Sequence, residues 1–222
     1  MKRSLIFLLL FIAVSSAELL ALMMDWQLVH VVAKPLILLS LIGYYLSRAS
    51  KRSLTFIMAL IFCWAGDVLL LFQPTGEIFF ILGLVAFLIG HCLYIVSYRQ
   101  LQWTEGKNEF MPTQKVRFSF PIVLAGTGLI VILFPSLGGL KVPVLVYSVV
   151  LVLMVMTALF RYGRTSSGSF WMVFIGAAVF MSSDSLLAIN KFYSPFYLSG
   201  LFIMLTYITA QYLIVEGVVR HN

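Results

Sequence analysis

Eight apolar runs in a chain of 222 residues mark an all-α polytopic membrane protein with eight transmembrane helices. Hydrophobic residues make up 62% of the chain and charged residues only 10%, and the mean hydropathy is +1.05. No soluble domain of this length keeps so much apolar surface away from water. Each run also approaches the roughly 20 apolar residues that a bilayer-spanning helix needs.

The first span is read as Ser4 to Met23. It opens with "MKRSLIFLLLFIAVSSAELL", whose basic start, apolar run and small-residue stretch have the layout of a signal peptide. The apolar run resumes after Glu18 with "LLALMM", so the segment is expected to remain as a first helix. The second span, Leu28 to Ser47, contains Lys34-Pro35, where the proline removes a backbone donor and loosens the helix beside the lysine. Spans three and four, Leu54 to Phe72 and Glu77 to Ser97, carry Asp67 and the His91/Tyr94 pair. Arg99 to Phe118 is the longest connection and the one that reads as solvated. Beyond it come Ser119 to Pro135, Val142 to Phe160, Phe170 to Asn190 with Asp184, and Phe196 to Val218 with Tyr207 and Gln211. No stretch is left over for a soluble domain, so residues 1–222 are expected to form a single integral membrane domain. Cys63 and Cys92 fall inside spans at different depths and suggest small buried residues, with neither a disulfide nor a metal site.

Alternate connections divide the basic residues unevenly. One side holds Lys2, Arg3, Arg48, Lys51, Arg52, Arg99, Lys107, Lys115, Arg117, Arg161, Arg164 and Arg220, and the other only Lys141 and Lys191. Positively charged loops stay in the cytoplasm, so both termini are expected there. The net charge of +7 is thereby a topology signal and a contact with anionic lipid headgroups, with no nucleic acid implied.

Polar residues within the spans form layers. At about 1.5 Å of rise per residue, Lys34, Asp67 and Asp184 fall roughly 5 to 6 Å to the outer side of their helix midpoints, with Glu18 slightly further out. His91 and Tyr94, three residues apart and so on one face, lie deeper, as do Tyr207 and Gln211. An intramembrane charge costs roughly 3 kcal/mol on insertion scales, so such groups face the bundle interior and pair or line a wet cavity. A structural ion pair between Lys34 and an aspartate would use one acid and one base. It leaves the second aspartate, the glutamate and the histidine unexplained, a surplus that favours a functional site. Three histidines, His30, His91 and His221, make a multi-histidine zinc site improbable, and neither metal nor other cofactor is expected.

"GDVLLLF" and "SDSLLAINKF" share Asp-x-Leu-Leu after a small residue, and a Gly-Leu pair follows each aspartate at the same interval, at Gly83 and Gly200. The pattern is compatible with two parallel four-helix halves, each presenting one aspartate to a common centre.

"KP" at Lys34, "GD" at Gly66, "GLVAFLIGHCLY" from Gly83, "SDSLLAINKF" from Ser183 and "YITAQYLI" from Tyr207 together resemble the YhhN-like membrane proteins, a family that includes the animal lysoplasmalogenases. The resemblance covers most of the chain. It implies an eight-helix enzyme that hydrolyses the vinyl ether bond of a lysophospholipid, releasing a fatty aldehyde and a glycerophospho-alcohol. Asp67 and Asp184 would be its catalytic pair, and Glu18, Lys34, His91, Tyr94, Ser183, Asn190, Tyr207 and Gln211 would support or bind the substrate. Membrane lipids are the other expected partners, and a bacterial inner membrane the expected location.

The residue types suit that chemistry. Vinyl ether hydrolysis protonates an alkenyl carbon, passes through an oxocarbenium ion and adds water. Two carboxylates close together in a low-dielectric pocket do not easily both ionise, which provides one acid and one base. Glycosidases meet a related oxocarbenium problem with two carboxylates. Lys34 could keep one aspartate ionised or bind the substrate phosphate, and His91 could relay protons or serve as an interhelical hydrogen-bonding group. The same charges would equally suit a proton-coupled transporter or channel, and a non-catalytic assembly protein is a third reading.

Overall fold

The computed structural model describes residues 2–106 and 109–221. Lys107, counted above among the basic loop residues, lies outside the described residues. Eight long helices carry the chain: α1 (Lys2–Met24), α2 (Gln27–Arg48), α3 (Leu54–Leu71), α4 (Glu77–Gln100), α5 (Pro112–Leu133), α6 (Lys141–Leu159), α7 (Ser167–Ala188) and α8 (Ser199–Val219). All eight are long and apolar enough to cross a membrane, and no strand occurs among the described residues. The fold class read from the sequence is thus the one observed.

Local chemistry sets the ends. Ser53 and Ser166 cap α3 and α7, their hydroxyls accepting from the Phe56 and Ser169 amides. α5 starts earlier than its apolar run does. Pro112 occupies the first turn, where its missing N–H costs nothing, and the Gln114 side chain accepts from the Met111 amide at 2.9 Å. Lys115 and Arg117 therefore stand on the first turns of the helix, where long basic side chains can reach out of the apolar layer. α2 runs unbroken through Pro35, and α7 passes into a π turn at Ile189–Tyr193.

The described residues divide into two compact units, residues 2–97 and Tyr98–His221. The division falls in the last turn of α4. In the first unit α1 packs on α2 and α2 on α3. α3 and α4 meet through small residues. A Cβ added to Gly90 would lie 2.9 Å from Cys63 Sγ and 3.3 Å from the Ala59 carbonyl oxygen, so only glycine permits this approach. Tyr45, Phe56 and Tyr94 form a fully buried aromatic chain, with centroids 4.9 and 5.7 Å apart. Cys63 is buried, whereas Cys92 is exposed, because it follows the buried His91 by one residue and so points about 100° away.

In the second unit α7 and α8 are the closest pair. A Cβ on Gly176 would meet the Ile214 amide nitrogen at 2.9 Å and the Ala210 carbonyl oxygen at 3.0 Å. At the basic end of this pair Arg161 is fully buried. Its Nη2 donates to the Leu101 carbonyl (3.3 Å) and to Ser169 Oγ (3.1 Å), and Ser169 in turn donates to the Gly217 carbonyl at 2.6 Å. The guanidinium also lies 5.8 Å from the centre of the Tyr98 ring. Burial pulls Arg161 down to about 10, which leaves it charged at neutral pH. Nearby, Thr165 Oγ1 is 2.7 Å from His221 Nδ1, and burial first, then the Arg161 charge, lower the histidine pKa.

Two outcomes are expected. Gly176→Leu should destabilise the protein by about 1–3 kcal/mol through overpacking against backbone, read as a lower Tm in detergent. Arg161→Gln should cost about 1–3 kcal/mol by leaving buried acceptors without a donor, and should move the His221 titration upward in a histidine NMR pH series. The lowered His221 pKa contributes stability that is present above its ordinary 6.5 and lost as the pH falls towards the folded value.

Candidate functional site

The intramembrane polar residues fall into one set per unit. The first unit holds Glu18, Lys34, Asp67, His91 and Tyr94, and the second holds Ser183, Asp184, Asn190, Tyr207 and Gln211.

Asp67 lies on α3, buried, one residue after Gly66. Gly66 leaves room for the Phe87 ring of α4, whose carbons a Cβ there would meet at 2.6 Å. Phe87 stacks on His91 with centroids 6.4 Å apart, and His91 and Tyr94 are both fully buried. Glu18 on α1 is fully buried as well, and its Oε1 lies 2.8 Å from His30 Nδ1 on α2. Its Oε2 has no hydrogen-bond partner among the described residues. Lys34 follows His30 by one helical turn on the same face of α2 and is half-buried. Among the described residues Lys34 makes no ion pair, so the Lys34–aspartate bridge weighed from the sequence is not what holds these helices.

In the second unit the Tyr147 hydroxyl of α6 donates to Asp184 Oδ2 of α7 at 2.5 Å. A short O–H···O contact to a carboxylate is among the stronger hydrogen bonds a protein makes. On α8, Gln211 Nε2 donates to the Tyr207 hydroxyl at 3.3 Å, and Tyr207 meets Phe180 edge-on at 5.5 Å. Ser183 donates to the Ile203 carbonyl at 2.9 Å, a tie between α7 and α8. The Asn190 side chain accepts from the Phe196 amide at 3.4 Å and steadies the turn after the π segment.

His30 and Tyr147 were not singled out from the sequence, though a signal for each was present. Glu18 is seven residues before Asp25 and His30 five after it, so a tight turn at Asp25 brings them to similar depth. Asp25 adopts φ 56°, a left-handed conformation that aspartate tolerates. Tyr147 is six residues after Lys141 and Asp184 seven before Lys191, which again matches their depths on antiparallel helices.

The family model for YhhN proteins matches residues 29–218. The chain belongs to the YhhN family. Every candidate residue above except Glu18 falls within the matched range. Curated relatives named lysoplasmalogenase, from Mycobacterium bovis and Mycobacterium tuberculosis, are each 33% identical over 162 residues, covering 72% of this chain and 58% of theirs. The chain therefore spans little more than half the length of these curated relatives. No solved structure matches it.

A double-mutant cycle of Tyr147→Phe and Asp184→Asn, read by thermal unfolding in detergent, should give a coupling of about 1–3 kcal/mol. Additivity of the two single changes would argue against the contact.

Proposed function

We propose that this YhhN protein is an intramembrane hydrolase that cleaves the vinyl ether bond of lysoplasmalogens in a bacterial inner membrane, with both termini cytoplasmic. The reading is carried by its membership of the family and its 33% identity to proteins named lysoplasmalogenase. Two intramembrane aspartates, one of them held by a tyrosine hydroxyl, support it chemically.

In the proposed reaction Asp67 gives its proton to the alkenyl carbon remote from the ether oxygen, leaving an oxocarbenium ion on the adjacent carbon. Water adds to that carbon and passes its proton to Asp184. As the hemiacetal collapses, Asp184 passes its proton to the departing oxygen and the hemiacetal hydroxyl gives its proton to Asp67. This releases a fatty aldehyde and a glycerophospho-alcohol, consumes one water, resets both carboxyl groups and needs no cofactor. Asp184 suits the accepting role because it already accepts from Tyr147, which orients the carboxylate. Lys34 and His91 are proposed to meet the substrate from the α2 and α4 sides, with Tyr94, Tyr207 and Gln211 as polar support. The reaction requires Asp67 and Asp184 to reach one substrate, and that requirement is what mutation tests.

Purified protein in detergent should release aldehyde from an alkenyl lysophospholipid. Asp67→Asn and Asp184→Asn should each lower kcat by about 10²–10⁴, the range for loss of a general acid or base. Tyr147→Phe should lower it less. Turnover that survives either asparagine variant would remove the two-aspartate mechanism. Inactivity towards all ether and ester lysolipids, with solute flux in liposomes, would replace the hydrolase by a transporter.

A further inference from the structure

A cavity of about 400 Å³ opens at the basic end of the second unit, lined by Arg99, Gln102, Lys115, Thr157, Phe160 and Arg164. Arg164 is paired with Glu109 at 3.2 Å. Among the described residues no carboxylate pairs with Arg99 or Lys115, and Lys115 instead lies 5.9 Å from the centre of the Phe160 ring. Three cations less one carboxylate leave the cavity with two uncompensated positive charges.

Leu153 and Met156 complete that cavity, and the same two residues line a second one. This is an apolar groove of about 310 Å³ between α5 and α6, with no charged residue in its lining. Short side chains line it at Thr127 on α5 and Ser148 on α6, where larger residues would close it. From Met156 to Leu145 the groove follows α6 for eleven residues, about 16 Å at the helical rise. A basic compartment thus adjoins, at Leu153 and Met156, an apolar one that runs along α5 and α6.

We propose that this combined site holds one anionic phospholipid, its headgroup on Arg99 and Lys115 and one acyl chain in the α5–α6 groove. Two charges without a carboxylate call for an anion, and a mainly apolar groove without a charged residue calls for hydrocarbon. Free phosphate satisfies only the first compartment, and a zwitterionic lipid leaves the net charge unanswered. An anionic phospholipid satisfies both. Basic side chains near a membrane surface draw such lipids electrostatically, and here they stand at the end of the helices where Lys and Arg accumulate. Neither compartment is lined by Asp67, Asp184 or Tyr147, so the site is separate from the residues of the proposed reaction.

Native mass spectrometry of the full chain in detergent, with phosphatidylglycerol or phosphatidylethanolamine added, tests this. Wild type should retain one phosphatidylglycerol in preference to phosphatidylethanolamine, and inorganic phosphate should not displace it. The Arg99→Gln/Lys115→Gln double variant should bind phosphatidylglycerol about thirtyfold more weakly, the effect of two interfacial charges. Arg99→Lys/Lys115→Arg should keep it. Ser148→Trp, which leaves the cations intact and fills the groove, should also lose it. Unchanged helical circular dichroism and gel-filtration profiles establish that each variant is folded. Equal retention of the two lipids, displacement by phosphate, or undiminished binding by the folded double-glutamine or tryptophan variant would overturn the proposal.

Discussion

The absence of water from the hydrocarbon layer governs this molecule. Backbone donors and acceptors there must be satisfied within a helix, which explains eight long helices and no strand among the described residues. Side-chain polar groups face the same demand. Glu18 meets it with His30, Asp184 with Tyr147, and the Ser183 hydroxyl with the Ile203 carbonyl. Each of these ties joins two helices, so the polar groups help to set which helices are neighbours as well as serving any chemistry.

Hydrophobicity does not draw helices together inside lipid, because tails and apolar side chains are alike. Close approach takes over that role. Gly90 lets α4 come against α3, and Gly176 lets α7 come against α8, in each case near enough that a methyl group would strike a neighbouring sulfur or backbone atom. These two pairs carry Asp67 with His91 and Asp184 with Tyr207 and Gln211. Small residues on the helix pairs thus place the ionisable groups with little freedom to move, which acid–base chemistry on a lipid would need.

Arg161 presents the opposite case. It is fully buried, and it ties the Leu101 loop to Ser169, and through Ser169 to the end of α8. Among the described residues the neighbouring Arg99 and Lys115 pair with no carboxylate, and they are the cations proposed above to meet a lipid headgroup. One end of the second unit therefore uses Arg161 to hold its own backbone and places Arg99 and Lys115 at a cavity.

Class, helix count and the positions of the intramembrane charges were legible in the sequence, because each depends on the burial cost of a local run or a single side chain. Asp67 and Asp184 stood out for that reason, and the short motifs around them pointed to the YhhN family. The start of α5 was less legible: hydropathy breaks at Lys115 and Arg117, but the backbone continues through them once Pro112 and Gln114 satisfy its first turn. Partner choice was hidden further. Lys34 looked like the natural counter-ion for an acid, yet Glu18 is paired with His30 and Asp184 accepts from a tyrosine. The sequence by itself determined which residues must leave water, since that cost belongs to each residue alone. Only the tertiary structure decided which group each would meet there, because a hydrogen bond depends on the facing of two helices, and facing is set by packing over many residues at once.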